Sequence, residues 1–340
     1  MKKQPIQSIY FIKAICAIGI VIFHFGCHAT GINTSLITSF ENGNWGETLV
    51  TVFFAVSGML LYYHYSGNLK LSHYYWKRWK GIFPMFYLAY LCFWLFRICQ
   101  GGAEFYFDAP WAYIFTVFGM DGYMVSRVMT YYILGEWFLG AIIILYLLYP
   151  VILQAWKKNH VAAFFFTLVL YLVCYDKPIT HDVGFRTISS CLISFVFGML
   201  FLEYRTFFVS AKSVIVALFC CVVLYFIKLP ISGNMAGHLM GACLLIVLSA
   251  VGENIMNGMP ARKLYKELGI LSYPVFLLHH QILYSFLQCW QPNSLWTAVL
   301  FLFGTVCVIV LAAKVLYIVS NMCIKELDRI VLRINNNIVK

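Results

Sequence analysis

Apolar residues run through this chain in blocks of about twenty, separated by short polar stretches and without the strict alternation of a half-buried strand. A block of that length crosses a hydrocarbon layer of roughly 30 Å as an α-helix. The pattern predicts ten spans, at 8–28, 46–65, 82–99, 132–155, 160–176, 187–204, 211–229, 235–252, 269–289 and 295–320. The fold class predicted is therefore all-α, a polytopic membrane helix bundle of about ten transmembrane helices. The integral-membrane domain covers 1–324, and 325–340 (KELDRIVLRINNNIVK) forms a basic amphipathic tail. Such a tail is expected on the inner leaflet, whose anionic lipids attract it. Ala109 to Gly119 is apolar but too short to cross, so it is expected at the interface or as a re-entrant piece. No internal repeat or low-complexity tract interrupts the blocks.

Composition agrees with the pattern. Hydrophobic residues make up 62% of the 340 positions and charged residues 11%, with a mean hydropathy of +0.81. A soluble domain carries about 25% charge, so a soluble fold is excluded. The net charge of +11 would suggest nucleic acid if it were clustered on one surface. It is instead distributed by topology. With both termini inside, seventeen of the 24 Lys and Arg fall in cytoplasmic segments and five outside, and Lys13 and Lys314 lie within spans. This is the positive-inside asymmetry of a multi-pass membrane protein, and it leaves no nucleic-acid partner to explain. The twelve cysteines include no CxxC pair and many sit in apolar runs, which excludes a disulfide framework. The N-terminus, MKKQPIQ followed by apolar residues, has the look of a signal peptide. The run is long and no small-residue cleavage site follows, so it is read as the first span.

The costly residues inside that first span come next. Lys13 and His24 are eleven residues apart, three helical turns to within about 20°, so both point the same way about 16 Å apart along the axis. Ionisable groups at membrane depth face a protein interior or an aqueous cavity and mark functional sites. For Lys13 two readings stand: a stem that snorkels to the inner surface, or an anion contact near that surface. For His24 the choice is a helix-end histidine bonded to a neighbour or a chemical group. His28, four residues on, reads as an interfacial histidine. A zinc site from the i,i+4 pair lacks a matched acid or cysteine set, so no metal is expected.

Further along, Phe53–Leu61 (FFAVSGMLL) places Ser57-Gly58 in an apolar helix, a pattern of close helix packing. Lys77-Arg78-Trp79-Lys80 stands before the third span, either as ordinary anchoring or as a clamp for a pyrophosphate-bearing donor. Pro84 is expected in that span's first turn, where proline is tolerated. Glu136 opens the fourth span, where a carboxylate is favoured by the helix dipole whatever its function. His279 and His280 lie mid-span in LSYPVFLLHHQIL, about 100° apart. One of them is expected to face the interior, with His24 or a bound substrate as its partner.

Together these segments resemble the acyltransferase-3 family of bacterial inner-membrane proteins, over most of the chain. Lys13 and His24 match that family's first-span Arg and His. Phe53-Phe54-Ala55-Val56-Ser57-Gly58 matches its FF-x-x-SG pattern, and Lys77-Arg78 with Ile82-Phe83-Pro84 matches its basic entry to the third span. Trp137 with Leu147–Pro150, Phe195–Met199 and Ser272–His279 match three later patterns. There are three departures. Lys13 stands for the usual Arg, which turns a bidentate contact into a point charge. Gly81 stands where many members have Arg. Ile142 and Ile143 stand where many have Glu after the span-four Trp, while Glu136 precedes that Trp.

The resemblance implies an O-acyltransferase, with acetyl-CoA or another acyl-CoA as donor substrate and no permanently bound cofactor. The acceptor implied is a hydroxyl of an envelope or exported polysaccharide, or of its lipid-linked precursor. The implied catalytic residues are His24, Glu136 and His279, and the implied binding residues are Lys13, Arg78, Lys77, Ser57 and Tyr273. Histidine is suited to deprotonate an alcohol at neutral pH or to carry an acyl group covalently. The expected partners are acyl-CoA, a saccharide acceptor, the bilayer and polysaccharide-assembly machinery. The expected location is the bacterial inner membrane. A transporter or flippase of a polar envelope precursor is the alternative, but the inverted repeats and matched broken spans of that class are not evident.

Overall fold

The computed structural model describes residues 6–99, 110–134, 137–174, 186–257 and 259–338. Eleven helices of more than ten residues make up its framework, and we number these in chain order: α1 (Ser8–His28), α2 (Trp45–Tyr65), α3 (Leu71–Cys99), α4 (Trp137–Lys158), α5 (His160–Cys174), α6 (Ile188–Glu203), α7 (Ala211–Phe226), α8 (Gly233–Asn257), α9 (Met259–Ile270), α10 (Ser272–Cys289) and α11 (Leu295–Ile338). Helices satisfy their own backbone hydrogen bonds, so a chain this apolar adopts them in a membrane. The all-α polytopic bundle is as expected.

The number of crossings is less simple. Among the described residues six helices are long and apolar enough to span, and α9 with α10 add a seventh if that pair, bent by 68°, counts as one span. The spans expected at 187–204 and 211–229 are helices of 16 residues each, short of the roughly 17–25 that a crossing needs, and the one expected at 160–176 is described as a helix of 15 residues as far as Cys174. Helix length therefore supports six or seven of the ten spans drawn.

α1 lies inside the bundle, packed against α2, α8, α9 and α10. Contacts among the other helices explain two of the sequence patterns. α2 and α6 pack so closely that a Cβ on Gly58 would overlap the Phe195 carbonyl, and one on Gly198 would overlap the Ala55 carbonyl. The glycine of SGM and the glycine of VFGM are thus two halves of one small-residue contact. Farther along, Pro150 lacks an N–H and leaves the Tyr146 carbonyl without its helical partner. The hydroxyl of Tyr74, a fully buried residue on α3, donates to that carbonyl at 2.8 Å, and Tyr75 donates to Leu147 at 3.1 Å. An unpaired carbonyl in hydrocarbon costs several kcal/mol, so these two tyrosines hold α3 against α4 at the LLYP sequence.

α3 corrects one expectation. It begins at Leu71, so Pro84 lies in the helix interior and not in its first turn. The basic cluster is helical too, and the 100° step between neighbours sends its members apart. Lys77 is exposed, Arg78 turns inward, and Lys80 pairs with Asp328 at 2.7 Å. That pair ties α3 to the tail, which is the direct continuation of α11.

Before α2, a two-residue antiparallel hairpin (β1, Ser39–Phe40; β2, Gly43–Asn44) sets the helix start. The Asn44 side chain accepts from the Glu47 N–H at 2.8 Å, an N-cap that places Glu47 in the first turn of α2. Before α4, residues 110–134 fold as a 3-10 turn (Pro110–Ala112) and two short helices (Tyr113–Val117 and Asp121–Met124). Tyr90 of α3 donates to the Tyr131 carbonyl at 2.8 Å and Gln281 of α10 to the Ile133 carbonyl at 2.6 Å, so this segment is tied to two helices. Asp121 is buried within it, and burial drives its carboxyl up to about 7, against the opposing pull of the Thr116 hydroxyl.

Candidate functional site: two cavities along one helix

Two cavities open along α1, one at Lys13 and one at His24. The first, of about 220 Å³, is lined by Lys13, Ser57, Arg78, Tyr146 and Tyr273, with Gly81 and Ile142 also on its wall. Its charge is the informative feature. Neither Lys13 nor Arg78 has a carboxylate partner among the described residues. The Arg78 guanidinium lies over the rings of Tyr65 (5.8 Å) and Tyr146 (5.7 Å). Ring faces hold a guanidinium in place without cancelling its charge. The Tyr273 hydroxyl is directed into the backbone, donating to the Ile82 carbonyl at 3.1 Å. Two cationic side chains on one cavity, with no carboxylate partner among the described residues, are suited to an anion.

The second cavity, of about 280 Å³, is lined by His24, Glu47, Trp137 and Arg186, among others. The Arg186 guanidinium lies 5.9 Å from the Trp137 ring. Here the side chains carry both signs and an imidazole, so this cavity is built for polar groups and protons and not for a single fixed charge.

Phe138 of α4 and Phe276 of α10 line both cavities. Their ring centroids are 5.3 Å apart and edge-on, at 68°. This pair is the partition between the two spaces. The predicted common face of Lys13 and His24 is observed: α1 is unbroken from Ser8 to His28 and presents Lys13 to one cavity and His24, with Ile20 and Phe23, to the other.

α10 brings two more imidazoles to His24. The His279 ring lies 5.0 Å from it and the His280 ring 4.9 Å. One histidine was expected to face inward, but both do, because α1 passes opposite the gap between their two directions. His279 is fully buried, and its Nδ1 is 2.8 Å from the Phe276 carbonyl. A carbonyl only accepts, so Nδ1 carries the proton in the neutral ring and Nε2 is the basic nitrogen. Phe276 thus fixes the tautomer of His279 and walls both cavities at once.

Of the residues singled out by sequence, Lys13, Ser57, Arg78 and Tyr273 meet at one cavity, while His24 and His279 meet beside the other. Lys77 is exposed and lines neither. Glu136 lies outside the described residues. Glu47, Arg186, Phe138 and Phe276 were missed. Glu47 had a legible signal, the N-x-x-E capping pattern Asn44–Glu47 ahead of an apolar run; Phe276 lay within the Ser272–His279 pattern with no role attached to it, and Phe138 had no signal.

A family model described as an acyltransferase domain, that of the acyltransferase-3 family, matches residues 6–315. No curated protein and no solved structure matches the chain. With nearly its whole length covered by that model, the chain belongs to the acyltransferase-3 family and is a membrane acyltransferase.

Proposed function

We propose that this acyltransferase is an O-acyltransferase of the bacterial inner membrane, moving an acetyl group from cytoplasmic acetyl-CoA to a hydroxyl of an envelope saccharide or its lipid-linked precursor. The observation that carries this reading is the pair of cavities on α1, with Lys13 and Arg78 at one, His24 at the other, and Phe138 and Phe276 lining both. The Lys13 end is the cytoplasmic one by the distribution of Lys and Arg. Lys13 and Arg78 bind donor phosphates there, Arg78 by charge-assisted hydrogen bonds and Lys13 as a point charge. The pantetheine arm carries the thioester toward the aromatic partition.

At the outer end His24 takes the proton of the acceptor hydroxyl. The alkoxide oxygen attacks the thioester carbonyl carbon, the new C–O ester bond forms, the C–S bond breaks, and the CoA thiolate takes up a proton to leave as thiol. A route through an acyl-imidazole on His24 uses the same residues in two steps, each releasing one leaving group. His279, with its proton held on Nδ1, presents a basic Nε2 that stabilises positive charge developing on His24.

The test is His24→Ala in membranes supplied with labelled acetyl-CoA and envelope glycolipid. Loss of transfer by about 10²–10⁴-fold is expected, the span of general-base contributions, with undiminished insertion of the protein. Transfer at the unaltered rate would refute the role of His24. Absence of CoA-dependent labelling in the unmodified protein with any saccharide would refute the substrate assignment.

A further inference from the structure

His28 and His280 take no part in the transfer just described, yet they lie beside the residue that does. His24 and His28 occupy successive turns of α1, their rings parallel to within 14° and 6.3 Å apart. His280 comes in from α10, with its ring 4.9 Å from His24 and 5.1 Å from His28. The His28 and His280 Nε2 atoms are 3.0 Å apart. One ligand nitrogen from each of the three rings can be chosen so that all lie within 4.8 Å of one another.

We infer that His24, His28 and His280 form a binding site for a zinc-class divalent cation at the outer end of α1, and that its occupation silences the acyltransferase. The geometry carries the first half. Zinc holds imidazole nitrogens at 2.0–2.1 Å in a tetrahedron, which places them about 3.3 Å apart. The His28–His280 pair, at 3.0 Å, is close to that spacing; the ion takes the place of the proton between those two nitrogens, and His24, whose ligand nitrogen lies within 4.8 Å of theirs, has to close the remaining gap. The three rings are each half-buried, so an ion has access to them. Three neutral nitrogens and no carboxylate select zinc, copper or nickel over magnesium and calcium, which take oxygen ligands. The fourth position remains for water. His279 is left outside the set because, among the described residues, the ligand nitrogens that lie within 4.8 Å of one another are those of His24, His28 and His280.

The second half rests on the proposed role of His24. A nitrogen lone pair bound to a cation cannot accept the acceptor's proton, so bound zinc and acyl transfer exclude each other. The sequence alone hid this site because His280 lies 252 residues from His28.

The full-length chain, purified in detergent and stripped with chelator, is titrated with zinc chloride against a chromophoric zinc indicator. One zinc per chain is expected. Affinity falls about a hundredfold in His28→Gln and in His280→Gln, the upper end of what even a second-shell partner is worth. Monodisperse elution of either variant shows that it is folded. No stoichiometric binding, binding unaltered in both folded variants, or equal competition by magnesium would overturn the site. In the transfer assay, zinc arrests the unmodified protein and chelator restores it. Zinc bound at one per chain without loss of transfer would overturn the inhibition. Binding is read without acyl-CoA, so a chain that binds zinc and transfers nothing in its zinc-free form refutes the acyltransferase substrate reading and leaves the metal site standing.

Discussion

The two cavities differ in how they treat charge. At the Lys13 end, two cations are kept apart from every described carboxylate and supported by tyrosine rings. At the His24 end, Glu47 and Arg186 share a cavity with an imidazole, and three further imidazoles, one from the next turn of α1 and two from α10, lie within 6.3 Å of it ring to ring. A fixed, uncompensated charge is suited to holding an anion through the reaction. A set of imidazoles is suited to a group whose protonation must change within it. One helix supplies the leading residue of each because its eleven-residue separation turns through whole turns.

The comparison is broken most forcefully at the cationic end. Lys13→Ala combined with Arg78→Ala removes both cations proposed to hold the donor phosphates, charge-assisted contacts of a kind worth roughly 1.5–3 kcal/mol each. We expect KM for acyl-CoA to rise by at least about a hundredfold, with the acceptor's KM unmoved. If the acceptor's KM rises instead, the roles of the two cavities are exchanged.

The partition offers a subtler test. Phe276→Ala joins the two spaces and loosens His279, whose Nδ1–H is held by the residue 276 carbonyl. Water then reaches the thioester, so acyl-CoA hydrolysis without acceptor should rise while transfer falls, each by about tenfold, within the range a 1 Å misplacement costs. Coupled loss of hydrolysis and transfer, as from simple unfolding, would remove the partition from the mechanism; retained Tm guards that outcome.

The smallest effect lies outside both cavities and separates site chemistry from fold stability. The Asp121 carboxyl is raised to about 7 by burial from an ordinary value of 3.8. Between those values the folded state holds a proton that the unfolded state has released, so this residue's contribution to stability falls as pH rises toward 7 and then levels off. Asp121→Asn should therefore raise Tm at pH 8 by a few degrees and leave it nearly unchanged at pH 4. An equal shift at both pH values would mean that Asp121 is ionised throughout.

Much of this was legible in the residues. Block length and the Lys/Arg asymmetry determined the class of fold, because a bilayer admits few solutions for a chain this apolar. The Lys13–His24 spacing determined a shared face, because helical periodicity is local. Ser57-Gly58 announced close packing, although its partner, Gly198, lay beyond any local pattern. The interior position of Pro84 was missed because the apolar pattern starts later than the helix, whose first turns are basic and aromatic.

What the tertiary structure decided was every meeting between distant segments. Tyr74 found the carbonyl that Pro150 released. Phe138, an ordinary apolar residue in any window, and Phe276, part of the Ser272–His279 pattern, came to line both cavities. His279 and His280 both reached His24 because α1 lies opposite the gap between them. Local pattern tells which way a side chain points from its own helix axis; which neighbour it meets depends on the packing of whole helices, and that is settled only when all of them bury their faces together.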